Sequence, residues 1–141
     1  MRAAFAAMTV LAAGALSGAG VALAQLAVPG AGELTSDLQQ VLNTGAPASE
    51  RAALLAGGEA AVPTADNIAN RLNTYGGMVN WQVQNPLLNG DRLDAQIAVT
   101  IPIFGTKTHH IYWVSQDGDW KLSNPSACVI ATDVAGVDCP V

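Results

Sequence analysis

From Met78 onward the chain alternates. Val79, Trp81 and Val83 fall on one side of a strand, with Asn80, Gln82 and Gln84 on the other. The next run is the most regular: Leu93, Ala95, Ile97, Val99, Ile101 and Ile103 alternate with Asp94, Gln96, Ala98, Thr100 and Pro102. One face of that strand is apolar throughout. Asn89-Gly90 before it is a hairpin signal, and Gly105 after it turns the chain into "TKTHHIYWVSQ", a third strand. Asp117-Gly118 predicts a two-residue turn of type I′, which needs positive φ at both central positions. A fourth strand carries Trp120 and Leu122, and Cys128 to Ala131 are expected to continue it past Pro125.

Upstream the period is helical. In "LTSDLQQVLNTG", Leu34, Leu38, Val41 and Leu42 share a stripe, Thr35 or Ser36 can cap, and Asp37 suits the positive end. "SERAALLAGG" predicts a shorter helix capped by Ser49 and stopped by Gly57-Gly58. A third is expected from Thr64, with Ile68, Leu72 and Tyr75 on one face. The order predicts an α+β fold in which N-terminal helices pack on a curved antiparallel sheet of about four strands. Such a sheet leaves a cone-shaped interior.

The two ends of the chain add a destination. Arg2 precedes a run of Ala, Leu, Val and Gly ending in Ala22-Leu23-Ala24, the layout of a secretory signal peptide over residues 1–24. A retained membrane anchor is the alternative, because the run is nearly long enough to span a bilayer. Residues 25–33 read as a flexible lead-in, 34–131 as the domain and 132–141 as its tail. Without Arg2, five Lys/Arg face eleven Asp/Glu, a net of −6. The basic residues are scattered, which argues against a nucleic-acid partner and an anionic membrane surface. Stable membrane insertion after cleavage is not expected. Cys128 and Cys139 are an even pair in an exported chain, which favours a disulfide stapling the tail to the last strand. Their spacing matches neither CxxC nor a zinc pair.

"LTSDLQQVLN", "ALLAGGEAAVPTADNIANRL" and above all "GDWKLSNPSA" resemble the C-terminal domain of the mycobacterial low-molecular-weight secreted antigen family. More loosely, the element order resembles the nuclear transport factor two-like (cystatin-like) fold. The likeness covers roughly residues 33–131, with the cysteine tail outside it. It implies a secreted or envelope-associated protein, a cystatin-like cone, and no catalytic residue or cofactor.

Candidate chemistry then centres on the cone. His109 and His110 are adjacent in a strand and point to opposite faces, so they cannot hold one metal together. At most one enters the cone, beside Asp94, Tyr112 or Trp81. Trp81, Asp94, His109, His110, Tyr112 and Trp113 are the ligand-pocket candidates, although the tryptophans also fit an apolar core. Asp117 and Asp119 fit turn chemistry better than a calcium loop, which needs more oxygen ligands and a closing glutamate. No phosphate loop, nucleophile elbow or metal motif is present. The expectation is a non-catalytic exported domain binding a small apolar ligand or an envelope protein, with a homodimer possible. The alternative is a small hydrolase or isomerase-like enzyme using a histidine and an aspartate in the cone.

Overall fold

The strands form one antiparallel meander in the order β1-β2-β3-β4, with β1 Asn80–Asn89, β2 Arg92–Ile101, β3 Gly105–Gln116 and β4 Asp119–Leu122. The structure is a computed structural model and describes residues 27–139; the expected leader, its cleavage point and the last two residues lie outside them. The alternation of β2 holds from Leu93 through Ala95 and Ile97 to Val99, all buried. It fails beyond that point: Ile101 is 37% exposed and Ile103 is 101% exposed. β2 ends at Ile101, and the turn carries Ile103 away from the helices at φ 77°.

The turns set the register. Asp117 (φ 56°) and Gly118 (φ 82°) take the positive angles of the expected type I′ turn. At the first hairpin Asn89 pairs with Arg92, so the turn is Gly90-Asp91, one residue later than Asn89-Gly90. Gly90 alone has positive φ there, as a type II′ turn requires. β1 also carries a bulge. Pairing steps from Gln84↔Gln96 to Leu87↔Asp94, leaving Asn85 (φ 57°) and Pro86 opposite one residue of β2.

The helices cover one face of the sheet. α1 (Ala31–Val41) buries Leu34, Leu38 and Val41, and starts four residues before the expected Thr35 cap. Gly30 precedes it, and the Glu33 carboxylate accepts from the Gly30 N–H at 3.1 Å. Thr35 is occupied elsewhere: its hydroxyl donates to Ala31 O at 2.8 Å and accepts from the Val83 N–H at 3.0 Å. α2 (Ala48–Ala52) places Arg51 inside, at 3% exposure. Arg51 Nε donates to Val41 O at 2.9 Å and Nη2 lies 2.7 Å from Asp66 Oδ1, tying the end of α1 to the third helix. That helix, α3 (Val62–Thr74), begins two residues early because Pro63 suits a first turn. Its inward face is Val62, Ala65, Ile68 and Ala69, while Tyr75, expected on that face, is 40% exposed.

The C-terminal segment corrects the sequence reading. Cys128 to Ala131 are helical, not strand: α4 (Asn124–Val129) runs into a π-turn, Ile130–Ala135. Ser123 caps it by accepting from the Ser126 N–H at 3.2 Å, and Pro125 sits in the first turn. Ala127, Ile130, Ala131 and Ala135 are buried at helical spacing. The free edge of β4 is instead covered by a loop, through Leu122 N–H to Leu54 O and Ala56 N–H to Leu122 O, each 2.9 Å. The disulfide joins Cys128 to Cys139 with Cα atoms 5.2 Å apart, so it staples the tail to α4 rather than to the last strand.

The interior is filled. A residual void of about 10 Å³ lies among Leu38, Leu55, Ile68 and Ile130, at the lower limit for one water. Ile97, at 1% exposure, is central to this packing. Ile97→Ala is expected to destabilise by about 2–5 kcal/mol in chemical denaturation, through lost burial and the cavity left. A loss under about 1 kcal/mol would contradict the register. Replacing both cysteines by serine opens a loop of sequence separation 11. It should remove roughly 3 kcal/mol by the loop-entropy estimate, with amide exchange rising first over residues 136–139.

Candidate functional site

The six candidate residues separate by face. On the outer face, away from the helices, the register sets Asp94 beside Tyr112 and Gln96 beside His110. Asp94 gathers its neighbours. Its Oδ1 lies 2.7 Å from His110 Nε2, 2.9 Å from Arg92 Nη2 and 3.1 Å from Arg92 Nε, and its Oδ2 accepts from Asn89 Nδ2 at 3.0 Å. The Arg92 guanidinium stands 4.3 Å over the Tyr112 ring, and the His110 and Tyr112 rings are 6.1 Å apart. The Asn89 amide, then His110 and Arg92, hold the Asp94 carboxyl below the usual carboxylate range, against the opposing effect of desolvation.

This group joins a histidine to an aspartate, but not inside a cone. The His110 side chain is 57% exposed on an open sheet face. Asp94 holds the ring through Nε2. Among the described residues no hydroxyl or thiol is hydrogen-bonded to the pair. The arrangement therefore ties β2 to β3 and to the end of β1 by charge-assisted bonds.

His109 takes the other face, opposite Ile97, and is half-buried. It borders a pocket of about 250 Å³ at the mouth of the cone, between the ends of β2 and β3 and the π-turn. Val99, Ile101, Phe104 and Val134 give it an apolar lining, and Lys107, His109 and Asp133 form its polar side. Trp113, at 2% exposure, is core, paired with Leu93 and Leu122. Trp81 lies opposite Val99 and packs partly buried against that core. Neither the mouth pocket nor the groove described next holds more than one of the six candidates.

That groove, about 320 Å³, runs over the outer face between Asn80, Gln82, Gln84, Thr100 and Thr106, with no charged residue in its lining. A cleft of about 410 Å³ lies at the other end of the sheet, beside Glu33, Asp37, Asp119 and Trp120. The Trp120 indole N–H donates to Ala27 O at 3.0 Å and fastens the incoming chain there. Burial, and then the nearby Glu33, push the Asp37 carboxyl up. Among the described residues no three His, Cys, Asp or Glu side chains meet in a metal-binding group, and no helix is long and apolar enough to cross a membrane.

Sequence reasoning missed Phe104, Lys107, Asp133 and Val134. Reading 127–135 as a helix would have brought Asp133 and Val134 over the sheet end; the apolar turn "IPIF" was the other available signal.

Fold and site together define a small α+β domain with a filled core and concave features only at its surface. The chain belongs to the family described as "Low molecular weight antigen MTB12, C-terminal domain", which matches residues 27–139. That span takes in both cysteines, so the stapled tail lies within the family rather than outside it. No curated protein matches the chain. Among solved structures it is similar to an NTF2-like protein of Campylobacter jejuni whose name proposes a transpeptidase. Identity there is 15% and the TM-score 0.34, over 63% of this chain and 84% of that one. A likeness this loose carries no argument about fold or activity.

The lowered Asp94 carboxyl gives a pH prediction. A carboxyl depressed in the folded state adds stability above its unfolded value of 3.8, and that stability is lost as pH falls through the folded value. Asp94→Asn should therefore reduce stability at neutral pH and converge with the wild type in acid. Urea denaturation from about pH 7 to about pH 2.5 checks this. A gap that widens in acid would reverse the assignment.

Proposed function

We propose that this chain is an exported, non-catalytic binding domain of the cell envelope or extracellular space, which takes a small apolar ligand at the mouth of its cone. The observation that carries the reading is the pocket of about 250 Å³ lined by Val99, Ile101, Phe104 and Val134. Its size is near the low end of small-molecule sites, and its polar groups are few and grouped on one side. The interior itself has no room for a ligand, because its void is about 10 Å³. The leader-like residues 1–24, the disulfide and the antigen family support export.

The catalytic alternative has less support. It needs a histidine and a carboxylate converging in a water-excluding cavity, and Asp94 and His110 meet on an open face instead. A protein partner on the outer face is the second reading, favoured by the uncharged groove between Asn80 and Thr106. A homodimer through the same face remains part of that reading.

Native mass spectrometry of the protein collected unreduced from a secreting host is the first test. A chain starting at Gln25 and lighter by two hydrogens is expected, with any bound molecule and the oligomeric state read from the same spectrum. Binding of an environment-sensitive apolar dye then tests the pocket. Val134→Asp should weaken dye binding at least tenfold while far-UV circular dichroism stays unchanged. Equal dye binding by the folded variant would remove the mouth pocket from the proposal.

A further inference from the structure

The β2–β3 turn is built against the usual rules for a surface. Ile101, Ile103 and Phe104 are 37%, 101% and 77% exposed, and Pro102 stands between them. Turns are normally polar, with glycine or asparagine wherever φ is positive. Here the positive φ of 77° falls on Ile103, a β-branched residue, for which that region is a strained outlier. Asparagine or glycine at this position would relieve the backbone and remove the exposed apolar group together. The turn carries both local costs, so the side chain itself is the feature to explain.

Charge narrows the occupant. From Ala95 to Thr106 the chain carries no Asp, Glu, Lys or Arg, and Lys107 is the first charge on the returning strand. The pairing of Asn80 with Thr100 brings the segment before β1 to the same end of the sheet, where Met78 is 60% and Tyr75 40% exposed. An apolar point, a tyrosine behind it and a lysine whose stem can reach outward are what an interface between hydrocarbon and headgroups accommodates. Area points the same way. At roughly 200 Å² per fully exposed large side chain, the three tip residues offer about 400 Å², and Met78 and Tyr75 raise this to about 600 Å². A standard protein interface uses about 800 Å² per partner, with a flat or concave fit that a hairpin tip does not provide.

We infer that the Ile101–Phe104 hairpin tip is a membrane-contact point that inserts into the surface of a lipid bilayer of zero net charge. The contact is shallow and reversible, and it does not span the bilayer. The chain carries a net charge of −5, which repels anionic headgroups, so a zwitterionic surface is the favoured one. The tip shares Ile101 and Phe104 with the mouth pocket, but Ile103, its most exposed residue, is not part of the pocket lining and carries this inference by itself.

The test is co-sedimentation of the oxidised protein, without its leader, with phosphatidylcholine vesicles, compared with vesicles containing phosphatidylglycerol. The wild type should partition onto phosphatidylcholine, with little change between low and high salt. Ile103→Asn should weaken partitioning at least tenfold while leaving the fold intact, since asparagine accepts positive φ. Ile103→Asn should still bind the apolar dye like the wild type, because Ile103 lies outside the pocket lining, which separates failure of this inference from failure of the pocket reading. Absence of wild-type partitioning, equal partitioning by Ile103→Asn, or binding only to anionic vesicles at low salt would each overturn the inference. So would concentration-dependent self-association abolished by Ile103→Asn without vesicle binding, which would assign the tip to a second copy.

Discussion

Burial of one face of β2 is the constraint on which the rest depends. Leu93, Ala95, Ile97 and Val99 lie between two strands and beneath the helices, and a slip of one residue would turn all four to water. Three devices hold the register: the tight turns at Gly90-Asp91 and Asp117-Gly118, and the bulge at Asn85-Pro86. With that face fixed, α1 and α3 have one place to set their apolar stripes. Arg51 then joins α1 to α3 across α2, using its own burial to satisfy the last carbonyl of α1.

Two chemistries are separated by the thickness of this sheet. The even-numbered positions of β2 and β3 gather a charge-assisted network around Asp94, and the odd-numbered positions meet the helices and end at the mouth pocket. His109 and His110, adjacent in sequence, belong to different environments for this reason alone. The network is nearly saturated and rigidifies the outer face, whereas the pocket and the hairpin tip keep apolar atoms in contact with water.

The α+β order and the central apolar face were legible because their periods are strong and uninterrupted, as in Leu34-Leu38-Val41 and Leu93 through Val99. The opposition of the two histidines followed from strand alternation. That Asp94 meets His110 on the outer face, rather than a histidine inside the cone, did not, since it depends on Ile101 pairing with Gly105 across a turn whose length Pro102 and Gly105 do not set. The C-terminal helix was misread because Pro125 looked like an interruption of a strand and Val129-Ile130 like its continuation. Ser123 two residues before that proline was the overlooked cap. The mouth pocket was invisible as a consequence: Asp133 and Val134, which close one side of it, lie on the helical segment that follows the stretch read as strand.

One detail of β1 reaches beyond the single molecule. This is an edge strand, and the backbone of Val83 faces outward, yet its N–H is already taken by the Thr35 hydroxyl. Two residues further on, the chain bends at Asn85 and then offers no N–H at all at Pro86. The outward row of donors is therefore broken at two successive places, and a second strand laid along it would find no continuous ladder. Strand addition along this edge is thereby disfavoured by the backbone itself, without a charged side chain to guard it.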